Sequence, residues 1–498
     1  MPASPSTARA INDRLALRLL QREGPLTAGQ LKKLTGLSRP SVADLVERLA
    51  RAGLIGVVGE SGEQRRGPNA RLYGIVADRA HLAALDVRTE GVAVVVADLL
   101  GSVLAEASAP IADETDTAPA VEQAIALVER TAKEAGVERL HTVGVGAPGL
   151  IDPATGELRD STGLPEWHRR LASALQERFQ ARVVVENETN LAALAEQRDG
   201  AARDRDTFVL LWLGHGIGAA VVLDGVLRRG ASGGTGEIGF LPVPGTGGMP
   251  SATGCEGGFH SLAGAAAIAE LAHRYGVVAP AGAHEPHAAA LVREAVLRAA
   301  GGAPAPAALS GAASAPALLS GAASAPALLS GAAPAPVSGA APTPVAGFVA
   351  APAAGSVLVP VPVSGSVPVP VPVPEAGTEA GTEAGPASSA GGEGRPRSSP
   401  RPLGGGASGF LDALADRVAL GAASVIAVLD PGCVVLSGEI GRAGGEALAA
   451  RVRERLGRMT PLPTEVRAGT LGGGAVLRGA LLMARDGAQD ELFAPPER

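Results

Sequence analysis

The sequence contains little cysteine and few aromatic residues. Its two cysteines, Cys255 and Cys433, are too few for a disulfide framework, and the sequence has no cysteine cluster of the kind that binds a structural metal. This content is typical of a reducing compartment, so we expect a cytoplasmic protein. Aromatic residues make up 2% of the 498 residues, which means that alanine, valine and leucine have to fill the cores.

Long apolar runs are also missing. Runs such as Val92–Val96 are far shorter than the ~20 residues that cross a bilayer. The first twenty residues contain no apolar stretch after a basic start, so we expect no secretory signal and no membrane partner. A length of 498 residues exceeds one ordinary domain and predicts two or three folded units.

Charge is unevenly distributed along the chain. The net charge is −7, which argues against a protein that coats nucleic acid along its whole surface. Residues 1–74, however, hold twelve basic and six acidic groups, so this head carries +6 and the rest of the chain −13. A basic head on an acidic body is the asymmetry expected when only the head contacts phosphate.

A low-complexity segment, residues 301–405, interrupts the second half of the chain. The decapeptide LSGAASAPAL begins at Leu309 and again at Leu319, and VPVPV runs follow. The copies are too few for a solenoid, and the alanine, glycine and proline content leaves little to bury. We interpret the segment as a disordered, linker-like insertion. The alternative is an extended proline-rich segment that binds a partner.

Residues 1–74 follow the pattern helix, helix, helix, hairpin. A first helix is predicted over roughly residues 9–23. Thr27 is placed to cap a second helix over Ala28–Thr35, and Ser38 is a favourable cap for a third. The side chains expected to face the core of these helices are Leu31, Leu34, Val42, Leu45, Val46 and Leu49.

This pattern is that of a winged helix-turn-helix and predicts DNA binding. Two short strands, Leu54–Val58 and Arg71–Ile75, enclose a glycine- and arginine-rich tip. The third helix can enter the major groove with its N-terminus toward phosphate, and the tip can reach a flanking phosphate or the minor groove. The residues predicted to contact DNA are Thr27, Ser38, Arg39, Ser41, Arg48, Arg65 and Arg66. The alternative is a trihelical protein-interaction module whose arginines are solvated.

The remainder of the chain resembles the ROK family, which groups bacterial repressors and sugar kinases on an actin-like, RNase H-type fold. The motifs that carry the resemblance are, in order, VGVGAPGLID (143–152), VVVENETNLAALAE (183–196), LWLGHGIGAAVVLDGVLRRG (211–230), GEIGF (236–240) and VLDPGCVVLSGEI (428–440). The resemblance covers 75–300 and 406–486, with a tail at 487–498. It implies an α/β chain in which a winged helix-turn-helix precedes a two-lobed ROK domain, interrupted by the disordered Pro/Ala/Gly-rich insertion.

Two departures from the kinases of this family indicate that phosphate transfer is lost. In the kinases the first hairpin reads Asp-x-Gly-Gly-Thr, and its glycines let backbone N–H groups approach ATP. This chain reads Asp86-Val87-Arg88-Thr89-Glu90 instead. The catalytic Asn-Asp pair is replaced by Asn187-Glu188, and a displacement of ~1 Å can cost roughly 100-fold in rate. We therefore expect no catalytic residue, with Glu188 at a degenerate base position, and no cofactor.

The sugar contacts that the resemblance implies are Asn187, Glu188, Glu237 and His260. Asn187 is alternatively a local helix cap, and His260 alternatively a surface or packing residue. Phe240 stands where the family has a histidine that contacts sugar and zinc. The cysteine positions of the family's zinc motif are taken by Ser251, Thr253 and Gly258, so we expect no metal.

The leading hypothesis is a transcriptional regulator, more specifically a repressor of carbohydrate genes. It would bind operator DNA as a homodimer or homotetramer and respond to a sugar or a sugar phosphate. Closure of the cleft around the ligand would change the relative placement of two heads. Two alternatives stay open: an ATP-dependent sugar kinase with a DNA-binding head, and a regulator that binds DNA without any ligand.

Overall fold

The computed structural model describes residues 5–61, 70–88, 91–112, 115–159, 165–251, 254–283, 285–301 and 405–494. Parts of the predictions lie outside the described residues: the DNA contacts Arg65 and Arg66, positions Thr89 and Glu90 of the first hairpin, position Thr253 of the zinc motif, nearly all of the insertion and the last residues of the tail. Within the described ranges, no helix is both long and apolar enough to cross a membrane.

The first domain consists of three helices and a small sheet. Its elements are α1 (Pro5–Glu23), β1 (Leu26–Thr27), α2 (Ala28–Thr35), α3 (Arg39–Arg51), β2 (Ile55–Ser61) and β3 (Ala70–Ile75). The central strand β3 pairs antiparallel with both β1 and β2. This is the predicted winged helix-turn-helix, and α1 begins a few residues earlier than expected.

Capping side chains set the starts of α2 and α3, as predicted. Thr27 Oγ1 accepts a hydrogen bond from Gln30 N at 3.2 Å, and Gln30 Oε1 accepts one from Thr27 N at 2.8 Å. Ser38 Oγ accepts from Ser41 N at 3.3 Å. The predicted inward position of Leu34 is wrong, since its side chain is 46% exposed. The reason is that α2 has only eight residues, of which Leu31 alone is buried in the core.

The rest of the described chain contains two five-stranded sheets with the same topology. The strands of the first sheet are β4 (His81–Arg88), β5 (Gly91–Asp98), β6 (Val103–Pro110), β7 (Thr142–Ala147) and β8 (Arg182–Asn187), in the order β6-β5-β4-β7-β8. The strands of the second are β9 (Phe208–Leu213), β10 (Ile217–Leu223), β11 (Val226–Arg228), β12 (Cys433–Ser437) and β13 (Glu465–Ala468), in the order β11-β10-β9-β12-β13. Each sheet is an antiparallel meander extended by two parallel strands. The repeated arrangement is the predicted actin-like, two-lobed fold.

Helices cover both sheets. They are α4 (Thr117–Glu134), α5 (Glu166–Phe179), α6 (Glu188–Asp199), α7 (His260–Ala263), α8 (Ala265–Arg274), α9 (His287–Ala299), α10 (Gly406–Leu429), α11 (Gly438–Met459) and α12 (Ala475–Leu492). Every residue of β7 and β9 is buried, as expected for apolar central strands covered on two faces. α12 continues past residue 486 and Phe493 is buried, so the tail predicted from 487 is in part the end of this helix.

Helices α6 and α12 lie between the two sheets, in direct contact with each other. The contact is unusually close at Gly479 of α12. A Cβ at this position would lie 2.1 Å from the carbonyl oxygen of Leu191 in α6. Only glycine allows the two backbones to approach this closely. The position of α12 is therefore tied to that of α6.

Candidate functional site

A cavity of about 140 Å³ lies where β8 ends and α6 begins. One wall consists of Gly149, which follows β7, together with residues 187–190. The other wall consists of the β9–β10 hairpin and the glycine-rich segment 233–237. The structure brings Asn187, Glu188 and Glu237 together in this lining, whereas His260 lies outside it.

The hydrogen-bonding positions of the Asn187 side chain are all occupied by partners within the protein. Its Oδ1 accepts hydrogen bonds from the backbone N–H of Thr189 at 2.9 Å and of Asn190 at 3.3 Å, which caps α6. Its Nδ2 donates to the Gly149 carbonyl at 3.0 Å and to Glu188 Oε2 at 2.8 Å. An amide has two donor and two acceptor positions, and all four are used here. Asn187 thus shapes the cavity and positions Glu188.

Glu188 is the residue at the predicted degenerate base position. Burial raises its pKa to about 8, and the negative charges of Glu237, Asp86 and Glu439 add to this effect. At neutral pH the carboxyl group is therefore largely protonated. Only a minor fraction of Glu188 is therefore ionised and able to accept a proton at neutral pH.

Glu237 stands at the exposed side of the cavity, at the end of a glycine-rich segment. Gly236 has a φ of +92°, and a Cβ there would lie 1.8 Å from the carbonyl oxygen of Ala219, so this position requires glycine. The start of the segment is fixed by Arg229, whose Nε donates to buried Glu186 at 2.6 Å. Glu186 directly precedes Asn187, which ties the two walls of the cavity together.

His260, a predicted sugar contact, begins α7. Burial lowers its pKa, and nearby His215 lowers it further. In the segment before it, the Thr246 hydroxyl lies within hydrogen-bond distance of two carbonyl oxygens, Val243 at 2.9 Å and Gly257 at 2.6 Å, and its one proton is available to either. In the described part of the chain, no three His, Cys, Asp or Glu residues are grouped as metal ligands. The residues present do not fit the family's zinc site.

Arg88 occupies the place of the first glycine in the phosphate loop of the kinases. Its Nε and Nη2 donate to Asp86 Oδ2 at 3.0 and 2.8 Å, and its Nη1 donates to Glu439 Oε1 at 2.7 Å. Its Nη2 also donates to the Gly473 carbonyl at 3.0 Å. Burial raises the pKa of Asp86, and the positive charge of Arg88 opposes this. One guanidinium thus links the first sheet to the starts of α11 and α12.

The winged head exposes basic side chains at the end of α2 and the start of α3. Arg39 and Ser41 at the start of α3 are exposed, as are Lys32 and Lys33 on α2. The two lysines contribute to the positive charge of the head and are not among the residues predicted to contact DNA. Both lie in the last turn of α2, a few residues before the start of α3.

Arg48, also predicted to contact DNA, is engaged inside the head. It donates to both carboxylate oxygens of Asp13 in α1, with Nη2 to Oδ1 at 2.6 Å and Nε to Oδ2 at 3.2 Å, and it also pairs with Asp44. The hydrogen bond to Asp13 is the main cause of its raised pKa. No sequence pattern links the two residues, which are 35 positions apart.

These features define a class of protein: a winged helix-turn-helix joined to a two-lobed, actin-like domain of the sugar-kinase type. Residues 82–300 match the ROK family, and residues 11–67 match the MarR family. The chain therefore carries a ROK-family domain and an N-terminal winged helix-turn-helix of the MarR type.

Three curated relatives match the ROK part. The chain is 25% identical over 237 residues to the xylose repressor of Caldicellulosiruptor bescii, which covers 47% of this chain and 59% of the repressor. It is 28% identical over 243 residues to the DNA-binding transcriptional dual regulator NagC of Escherichia coli K12, and this match covers 47% of this chain and 58% of NagC. A glucokinase of Halalkalibacterium halodurans is 35% identical over 130 residues, covering 26% of this chain and 39% of the enzyme. Each match spans less than two thirds of the relative's length.

One solved structure matches nearly the whole chain. It is described as a ROK family transcriptional regulator, a homolog of the E. coli MLC protein. Its TM-score is 0.61 at 18% identity, and the match covers 98% of both chains. This likeness confirms the order of the winged head and the two-lobed domain.

Proposed function

We propose that this chain is a DNA-binding transcriptional regulator that acts in the cytoplasm and represses carbohydrate genes. The observation that carries the proposal is the exposure of three basic side chains where α2 ends and α3 begins: Lys32, Lys33 and Arg39. The N-terminus of α3 is capped by Ser38, and the N-terminal residues of a recognition helix are those that contact base edges in the major groove. The similarity to a xylose repressor and to the transcriptional dual regulator NagC supports a regulatory function.

The second part of the proposal is that the ROK domain does not transfer phosphate. A kinase needs open backbone donors for the nucleotide phosphates. Here the Arg88 side chain stands at that place, held by Asp86 and Glu439. Glu188, at the base position, is also largely protonated at neutral pH, because burial raises its pKa to about 8.

The third part is a response to a sugar or sugar phosphate that binds in the cavity. A ligand that fits one arrangement of the two lobes better than another shifts the population toward that arrangement. The cavity lies at the start of α6, and α6 packs along α12, which reaches the head. In a homodimer or homotetramer, such a shift would change the distance between two heads and so the affinity for operator DNA.

The first test is enrichment of genomic DNA fragments by the purified full-length protein, with and without a panel of sugars. We expect a few sites with two-fold symmetry, released by the effector. Arg39→Ala should weaken binding to these sites about tenfold, since one direct contact contributes ~1–3 kcal/mol. Arg130→Ala, which removes an exposed charge on α4, is the matched control. No enrichment at moderate salt would refute DNA binding by the head.

The second test addresses phosphate transfer. We expect no ATP-dependent phosphorylation of glucose or N-acetylglucosamine above background. Phosphorylation by the wild-type protein that disappears in Glu188→Ala would show that the domain is a working kinase. Phosphorylation that persists in Glu188→Ala would point to a contaminating enzyme and leave the proposal standing.

A further inference from the structure

We infer that hydroxyl groups and closely packed glycines close the segment before α7, in the place where zinc-bearing members of the family hold a structural metal ion. The pre-α7 segment is defined here as residues 241–251 and 254–259. Its fold is therefore independent of any metal. This inference goes beyond the proposed function and does not depend on it, because it concerns how the segment is held together and not what the protein binds.

Gly258 stands at a cysteine position of the zinc motif, and the fold leaves no room there for a side chain. A Cβ at Gly258 would lie 2.4 Å from the carbonyl oxygen of Gly239 and 3.1 Å from that of Cys255. Both oxygens belong to the backbone, which cannot rotate away as the end of a flexible side chain can. The requirement for glycine is steric, since the φ of Gly258 is not left-handed. A thiolate ligand here would need a different backbone path.

The other positions of the motif do not supply zinc ligands either. The backbone N–H of Ser251 donates to the Gly254 carbonyl at 2.9 Å, and its hydroxyl is not a ligand of the thiolate, imidazole or carboxylate kind that zinc prefers. Thr253 lies outside the described residues. Phe240, at the histidine position, has no donor atom in its side chain. Cys255 is the only cysteine of the segment, and one thiolate does not make a tetrahedral site.

Two hydroxyl groups connect the early part of the segment with its end. The Thr246 hydroxyl lies 2.9 Å from the carbonyl oxygen of Val243 and 2.6 Å from that of Gly257. Thr246 and Gly257 are 11 positions apart, so the second contact closes a long turn. The N–H of Gly257 donates to Ser261 Oγ in α7 at 3.0 Å. The peptide groups of Gly257 are thus held from both sides.

The ends of the segment also meet through their backbones and through one buried side chain. Pro242 and Gly258 form an antiparallel bridge, and the N–H of Phe259 donates to the Leu241 carbonyl at 2.8 Å. The Phe259 side chain is fully buried. It packs against Gly421 of α10, where a Cβ would lie 2.4 Å from the ring. Burial of a large aromatic side chain fixes the end of the segment without a metal.

The closure has the effect that a structural zinc ion has elsewhere. Such an ion stabilises a loop because its ligands come together only in the folded state. Here hydroxyl contacts, backbone pairs and the Phe259 anchor bring the same parts of the chain together. Phe259 and Ser261 are the neighbours of His260 in the sequence, so the closure also positions the start of α7.

The first experiment measures zinc in the full-length protein. The protein is incubated with equimolar Zn²⁺ and desalted, its metal content is determined by mass spectrometry, and melting curves are recorded with and without EDTA. We expect zinc far below one ion per chain and an unchanged melting temperature, since a metal that binds only the folded state would raise it. Retention of one zinc ion per chain that disappears in Cys255→Ser would overturn the inference.

Glycine variants test the close packing. Gly258→Ala and Gly258→Cys should both lower the melting temperature by at least about 4 °C, because the added Cβ overlaps a carbonyl oxygen. Gly248→Ala is the matched control in the same segment, since a Cβ there meets nothing within 4 Å. It should change the melting temperature by less than about 2 °C. Recovery of wild-type stability when Zn²⁺ is added to Gly258→Cys would contradict the inference.

Hydroxyl variants test the contacts that replace the metal. Thr246→Val and Ser261→Ala should each lower the melting temperature by about 2–4 °C, whereas Thr246→Ser keeps the hydroxyl and should stay closer to wild type. The control is Ser102→Ala, which removes an exposed hydroxyl in the turn between β5 and β6. If Thr246→Val and Ser261→Ala melt at the same temperature as this control, the hydroxyls do not hold the segment and the inference fails.

Discussion

Arg14 in α1 of the winged head pairs with Asp490 near the end of α12, with Nη2 2.5 Å from Oδ1. One turn earlier on α12, Asp486 pairs with Arg198 in the last turn of α6 at 3.1 Å. The same helix α12 therefore contacts both the DNA-binding head and the helix that begins at the cavity. Through α12, these two ion pairs connect the helix that begins at the cavity with the winged head.

We predict that Asp490→Ala changes regulation more than stability. Both partners are exposed, Arg14 by 41% and Asp490 by 66%, so the pair contributes below about 1 kcal/mol to folding. The effector-dependent change in DNA affinity, measured by fluorescence anisotropy, should fall by at least half. Disruption of the pair Arg22–Glu23, which also lies on α1, is the control. An unchanged response in Asp490→Ala and in Arg14→Ala would rule out this connection.

We predict that Arg88→Met destabilises the ROK domain by about 1–3 kcal/mol, because it leaves the buried carboxyl of Asp86 without its partner. Chemical denaturation measures the loss. The double variant Arg88→Met/Asp86→Asn should recover part of it, since the buried charge is then removed too. Arg178→Met, which breaks the exposed pair with Glu129, should cost below about 1 kcal/mol. Equal losses in both arginine variants would contradict a special role for Arg88.

We predict that the free energy of unfolding depends on pH through the carboxyl group of Glu188. Its pKa is about 8 in the folded protein against an ordinary value of 4.5, so the folded state binds the proton more tightly. This contribution is complete below about pH 4.5 and is lost as the pH rises through about 8. Glu188→Gln should therefore raise the melting temperature relative to wild type more at pH 9 than at pH 5. Each kcal/mol corresponds to roughly 2–4 °C.

The matched control for this measurement is Glu122→Gln, which removes an exposed carboxylate. Its melting curve should keep the wild-type dependence on pH. Parallel pH profiles for wild type and Glu188→Gln would show that Glu188 does not carry a raised pKa.

We predict that Arg48 supports DNA binding indirectly, by holding α3 in place against α1, and does not itself contact DNA. Asp13→Asn removes the partner of Arg48 without touching the exposed face of α3. If Arg48 positions α3, then Asp13→Asn and Arg48→Ala both lower the stability of the head, by about 1 kcal/mol or more, and both weaken operator binding. Arg39→Ala should weaken binding at unchanged stability. Stronger DNA binding by Asp13→Asn would show instead that Arg48 is a direct contact.

Local features of the head were predictable because they depend on neighbours in the sequence. The caps at Thr27 and Ser38 and the buried face of α3 follow from spacings of three and four residues. Leu34 was predicted to face inward by the same spacing, and its exposure shows the limit of the pattern on a short helix. Which side of α2 is buried depends on how the small domain packs.

The amino-acid sequence by itself determined the winged head, the two-lobed fold and the replacement of the kinase glycines at residues 88 and 89. Only the tertiary structure decided what Arg88 does there. Its partner Glu439 is 351 positions away, and a single charged residue has the same local signature whether it is solvated or paired. The same holds for Asn187, whose amide oxygen caps α6 and whose amide nitrogen donates to Gly149 and Glu188, and for His260, which the fold leaves outside the cavity lining. Local spacing fixes the helices and strands, whereas long-range packing fixes which side chains meet.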